Sequence, residues 1–133
     1  MKKSGIINAQ LAKCIAGLGH NELFMISDAG MPIPKGVELI DLALCGGVPT
    51  FEQVLDAVLE ETVVEYYYLA EEILEKNDRL HQYIKTTLKD VPSEYIPHIK
   101  LKEDTKNIKF AIRTGEFTPY PNIILRAGVS FPV

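Results

Sequence analysis

The chain has 133 residues, 47% of them hydrophobic and 24% charged, which is the composition of one ordinary globular domain. That balance argues against disorder, and no apolar run is long enough to suggest a membrane span. A formal net charge of −4, without any basic run, argues against a nucleic-acid partner.

At the amino end, Asn8, Gln10 and Lys13 interrupt what would have to be a continuous signal-peptide core. The same stretch reads as a helix. Asn8 is a capping residue, Leu11, Cys14, Ile15 and Leu18 recur at helical spacing, and Gly19 is the expected stop. His20 then falls just beyond the helix. Cys14 and Cys45 are too few and too scattered for a disulfide framework, which fits a reducing compartment and makes the cytoplasm the expected location.

"LFMIS" (23–27) is a short apolar run of the kind covered on both faces in a sheet, with Asp28 at its carboxyl end. "AGMPIPKG" reads as a loop, and "VELIDLAL" (37–44) as a second strand. Thr50 and Gln53 make a capping box for a helix whose apolar stripe is Phe51, Val54, Leu55, Val58 and Leu59, ending near Glu61. "TVVEYYYL" (62–69) is β-branched and aromatic, hence a strand; residues 71–88 are helical with an irregularity at Asn77 and Asp78. "SEYIPHIKL" (93–101) reads as extended, with His98 on an edge strand or an irregular strand end because Pro97 cannot donate to a ladder. "NIKFAIRTGE" and "NIILRAGVSF" are two further strands joined by the stiff loop "FTPYP". Strands and helices alternate, so the expected fold class is α/β: a three-layer, mostly parallel, Rossmann-like sheet flanked by helices, in a single domain spanning 1–133. Such sheets bind ligands beyond the carboxyl ends of their strands.

The chain contains no G-x-G-x-x-G, Walker-type lysine loop or G-x-S-x-G elbow. Its histidines and cysteines are not spaced as a preformed zinc site would require, so any reaction is expected to need no metal or cofactor. His20 and Asp28 allow two readings. A carboxylate that holds an imidazole orients it for proton transfer near neutral pH. Equally, His20 can simply top a helix and Asp28 cap a turn. His98 and Lys102 can face one crevice or be ordinary surface groups. His81 is read as partly exposed helix surface. Tyr120 and Asn122, flanking Pro121, either present a phenol and an amide to hydroxyl groups or merely stiffen a turn.

Taken together, "GIINAQLAKCIAGLGH", "ISDAGMPIPKGVELIDLAL", "PHIKLK" and "IRTGEFTPYPNIILRAGVSF" resemble the ribose pyranase (RbsD) family, related to L-fucose mutarotases, nearly end to end. The resemblance implies an isomerase, free of metal and cofactor, that interconverts β-pyranose and β-furanose D-ribose and so supplies furanose to a ribokinase. It implies His20 as the proton donor, and the chemistry of ring opening leads us to expect that Asp28 orients it as the acid/base group. Asp28, His98, Lys102, Tyr120, Pro121 and Asn122 would line the sugar site, Pro121 standing where many relatives carry a small residue. Tyr120 and Asn122 would come from a neighbouring subunit of a homodecamer built from two pentameric rings. The alternatives are an L-fucose-type mutarotase, a non-catalytic sugar-binding or transport-associated module, and a purely structural oligomer. "ISDAGMPIP" favours ribose over fucose, because fucose relatives read closer to "ADANFP" there.

Overall fold

In the computed structural model, which describes residues 1–133, the apolar run Leu23–Ser27 is a central strand, β1. Phe24, Met25 and Ile26 are each fully buried. Alternate side chains of a strand leave opposite faces, so Phe24 and Ile26 join the larger core cluster while Met25 joins a smaller one on the other side.

The remaining elements are α1 (Ala9–Ala16), β2 (Glu38–Asp41), α2 (Phe51–Glu61), β3 (Val64–Ala70), α3 (Ile73–Lys76), α4 (Asp78–Thr87), β4 (Ser93–Ile96), α5 (His98–Asp104), β5 (Phe110–Arg113) and β6 (Ile123–Ala127). One six-stranded sheet takes the order β2-β5-β1-β6-β3-β4. β1 pairs parallel with β5, β5 with β2 and β3 with β4, whereas β6 runs antiparallel to both β1 and β3. Five strands therefore share a direction and β6 alone is reversed. Apolar stripes of α1, α2 and α4 cover one face; Leu101 of α5 and Met31 cover the other. The result is a three-layer α/β fold with a mixed, mostly parallel sheet.

Local chemistry accounts for most element boundaries. The Asn8 side chain accepts the Leu11 amide at 2.9 Å, and Thr50 and Gln53 form the reciprocal capping box of α2. α1 stops at Ala16 rather than near Gly19, because Gly17, a poor helix former, takes the cap position; Leu18 packs on the core from beyond the helix. β2 is shorter than expected, and Leu44 lies outside the sheet, 80% exposed. The irregularity expected near residue 77 is a true break between α3 and α4, at Asn77 with φ −152° and ψ 60°.

Two expectations are corrected. Only Ser93–Ile96 of the 93–101 segment is strand, and His98 opens α5 instead of ending an edge strand. Proline's fixed φ and missing N–H suit a helix start as well as a strand end, and the Glu72 carboxylate accepts the otherwise orphaned His98 amide at 2.9 and 3.2 Å. His81 is buried, not helix surface; its Nε2 sits 2.6 Å from the Tyr95 hydroxyl because α4 packs that face against β4.

Phe24 stacks on Phe110 with ring centroids 5.2 Å apart, at the middle of the core. Phe24→Ala is expected to cost about 3–5 kcal/mol of stability, measured by urea unfolding.

Candidate active site

Because β6 is reversed, its first residues lie at the carboxyl ends of the other strands. The β1–β6 register pairs Ile26 with Ile123, which brings Asn122 beside Asp28. Asn122 is fully buried, and its amide is turned wholly to Asp28: Nδ2 donates to Asp28 Oδ2 at 3.0 Å, and Oδ1 accepts the Asp28 backbone N–H at 2.9 Å. The Gly30 amide donates to Asp28 Oδ1 at 2.9 Å. Two of these bonds reach the carboxylate, one on each oxygen, and the third ties the Asp28 backbone, so the carboxylate has a fixed orientation and retains lone pairs for a ligand.

Asp28, Gly30, Met31, Pro32, His98 and Lys102 enclose a cavity of about 190 Å³. It adjoins a more open one of about 410 Å³, which shares Asp28 and Gly30 and is bounded by Glu116, Phe117, Thr118 and Pro119. The narrower cavity is below the usual size for drug-like ligands and suits a small polar molecule. Tyr120, on the β5–β6 loop, stands behind His98: its ring meets the His98 ring edge-on, with centroids 5.1 Å apart. Tyr120 has a φ of 66°, a left-handed conformation that a bulky residue adopts only when its surroundings enforce it. The loop lies directly on the backbone at Val48, where a Cβ on Gly115 would stand 2.4 Å from the Val48 carbonyl oxygen.

His98 is held below its ordinary pKa of 6.5, first by burial and then by the Lys102 charge, against the opposing pull of Glu72 and Asp28. Its Nδ1 is buried and bonds to nothing in the chain. A neutral imidazole offers one donor and one acceptor, a combination suited to sugar hydroxyls.

His20 lies elsewhere. It precedes β1 and Asp28 follows it, and at about 3.3 Å per residue the five-residue strand alone sets its two ends about 13 Å apart. Within the subunit Asp28 therefore does not orient His20. Glu65 does: His20 Nε2 lies 3.1 Å from Glu65 Oε2, while Arg126 Nε donates to Glu65 Oε1 at 3.0 Å and its guanidinium sits over the Tyr66 ring. Glu65 occupies the irregularity in the β3–β6 pairing between Val64 and Tyr66. A carboxylate only accepts, so Nε2 carries the proton and Nδ1 faces away from this pair. Glu65 and Arg126 escaped sequence reasoning; the only signal was a charge inside the otherwise apolar and aromatic "VVEYYYL".

Tyr120 and Asn122, expected to reach the site from a neighbouring subunit, pack in this chain against its own His98 and Asp28. Lys102 lines the same cavity, Pro121 is buried between Tyr120 and Asn122, and His20 is the one expected site residue that stands apart. No group of three or more His, Cys, Asp or Glu side chains is close enough to hold a metal ion, and no helix is long and apolar enough to cross a membrane.

Residues 1–130 match the model of the RbsD / FucU transport protein family. The chain belongs to that family. It is 51% identical to the D-ribose pyranase of Geobacillus thermodenitrificans, over 98% of this chain and 99% of the relative. It is 49% identical to that of Lactiplantibacillus plantarum, over 98% of this chain and all of the relative. Among solved structures it resembles Bacillus subtilis RbsD complexed with D-ribose, with a TM-score of 0.95 and 45% identity, covering 98% of this chain and 100% of the other. It also resembles the fucose mutarotase of Streptococcus pneumoniae in complex with L-fucose, at TM-score 0.77 and 21% identity, covering 94% and 95%; that likeness shows the fold alone.

The lowered His98 pKa has a pH signature. Because folding weakens proton binding, the unfolded chain binds more protons between the lowered value and 6.5, so stability holds above pH 6.5 and falls as pH drops through that window. Urea midpoints measured against pH are expected to show this slope in the native chain and a flatter one in His98→Asn; superimposable curves would assign the slope to another group.

Proposed function

We propose that this chain is a D-ribose pyranase, interconverting the β-pyranose and β-furanose forms of D-ribose. One observation carries the reading: a small polar crevice lined by Asp28, His98 and Lys102, with Tyr120 packed against His98, in a chain whose fold follows that of Bacillus subtilis RbsD complexed with D-ribose at a TM-score of 0.95. D-ribose pyranases of about the same length as this chain support the same reaction.

The chemistry is general acid–base. The anomeric hydroxyl loses its proton and its oxygen forms the carbonyl, while the bond from the anomeric carbon to the ring oxygen breaks and that oxygen takes up a proton; in the open aldehyde a different hydroxyl then adds to the carbonyl carbon, losing its proton as the carbonyl oxygen gains one. Atoms and electrons balance without a cofactor, and a well-placed imidazole contributes about 10²- to 10⁴-fold in such transfers. His20 is that imidazole: with Glu65 holding Nε2–H, its Nδ1 takes the proton from one sugar oxygen and returns it to the other. Asp28 accepts from sugar hydroxyls, Lys102 and neutral His98 donate to them, and Tyr120 closes the sugar-facing wall. Asn122 contributes by aiming Asp28, and Pro121 by stiffening the loop.

His20 and the crevice sit at opposite ends of β1, so the catalytic site is completed when His20 of a neighbouring subunit reaches the crevice. An exposed apolar strip supports assembly there: Leu44, Val48 and Phe117 are 80%, 46% and 76% exposed, and Phe117 lies on the Gly46 turn beside the crevice. The assembly is the homodecamer of the family, and the enzyme works in the cytoplasm, upstream of a ribokinase in ribose catabolism.

Saturation-exchange NMR of D-ribose with catalytic protein is the test, with L-fucose in parallel. Acceleration for ribose but not fucose is expected, and His20→Ala is expected to lose about 10²- to 10⁴-fold of it while still binding ribose. Fucose exchanging faster than ribose would move the chain to the mutarotase branch. Binding without acceleration would leave a sugar-binding module, and a fully active monomer would contradict the shared site.

A further inference from the structure

Asn77 is a polar residue in an unexpected place. It breaks what would otherwise be one helix into α3 and α4, adopts a non-helical backbone, and is 8% exposed. Its Nδ2 donates to two acceptors at 2.8 Å each, the Thr118 hydroxyl and the Pro119 carbonyl oxygen. These are the two residues immediately before Tyr120. The Thr118 hydroxyl in turn donates to Glu116 Oε2 at 2.8 Å, and Glu116 Oε1 accepts the first-turn Phe51 amide of α2 at 3.0 Å. Glu116 is 7% exposed, so this relay is shielded from water along most of its length, where hydrogen bonds hold geometry most firmly.

The loop needs such support. Residues 114–122 form no regular secondary structure, yet they hold Tyr120 in a left-handed conformation and deliver its ring to His98. After Thr118, the backbone ties are the Pro119 carbonyl to Asn77 and the short turn closed by the Asn122 amide on the Tyr120 carbonyl at 2.8 Å. At the other end of the same short helix, Glu72 holds the His98 amide. One turn of helix thus braces both walls of the crevice from behind, without touching its contents.

We propose that Asn77 is a positioning residue of the sugar site: its amide, acting through Thr118 and Pro119, holds Tyr120 where it meets His98 and the sugar. This rests on the pyranase reading for its substrate but not for its geometry. Misplacing a binding group by about 1 Å is enough to cost up to about 100-fold, so a relay of this kind is visible in kinetics.

The test compares Asn77→Ala, Thr118→Val and Thr118→Ser with the native protein by ribose exchange kinetics and thermal melting. Thr118→Val removes the hydroxyl at nearly constant shape, whereas Thr118→Ser keeps it. A rise in KM of about tenfold, with kcat within about threefold, is expected for Asn77→Ala and Thr118→Val, and near-native values for Thr118→Ser. If Asn77→Ala does not fold, the Thr118 pair decides. An unchanged KM in Thr118→Val, or equal damage in Thr118→Val and Thr118→Ser, overturns the proposal. A native chain that fails to accelerate exchange would overturn the pyranase reading alone. The sugar-free signature still judges Asn77: the ring-current shift of the His98 protons by Tyr120 is expected to be lost in Thr118→Val and kept in Thr118→Ser, and its persistence in both overturns the role.

Discussion

The reversed strand β6 is the constraint on which the rest of this molecule depends. A wholly parallel sheet would leave only strand ends and the loops that follow them at its carboxyl edge. Inserting one antiparallel strand between β1 and β3 brings the beginning of a strand to that edge as well, and with it Asn122. The buried amide then meets Asp28 through two hydrogen bonds. Unpairing either partner would strand a buried polar group, which is costly compared with the small net gain of making the bond. The same strand carries Arg126 to the opposite edge, where it clamps Glu65, and Glu65 holds His20. One strand therefore organises both halves of the proposed chemistry, at opposite ends of the sheet.

On the proposed reading, that separation is what an assembly would serve: a subunit carries a crevice at one edge and the proposed proton-transfer group, His20, at the other. The groups that line or back the crevice are held by short-range devices of different kinds: the Asp28 carboxylate by amides, His98 by its place at the start of α5, and Tyr120 by a strained loop backed with buried hydrogen bonds. His20, by contrast, is half-exposed within its own subunit.

Most of the fold was legible along the chain. The caps at Asn8 and Thr50, the doubly covered run at 23–27 and the break at Asn77 are local signals, and each appears where its chemistry requires. The errors came where local signals were ambiguous. Proline serves both strand ends and helix starts, and Glu72, twenty-six residues away, decided for helix at His98. The amphipathic pattern around His81 could not reveal that Tyr95 waits on the facing strand.

By itself, the sequence determined the α/β class, the order of its elements and the residue types of a sugar site, because periodicity, capping and composition act over a few neighbouring residues. Only the tertiary structure decided which of those residues meet. Asp28 joins Asn122 rather than His20, and Glu65 takes the place at His20 that spacing offered to Asp28. The physical reason is direction: eight positions of separation look close along a chain, but a strand between them is extended, so its two ends face opposite edges of the sheet, and contacts across the sheet are set by strand order and register.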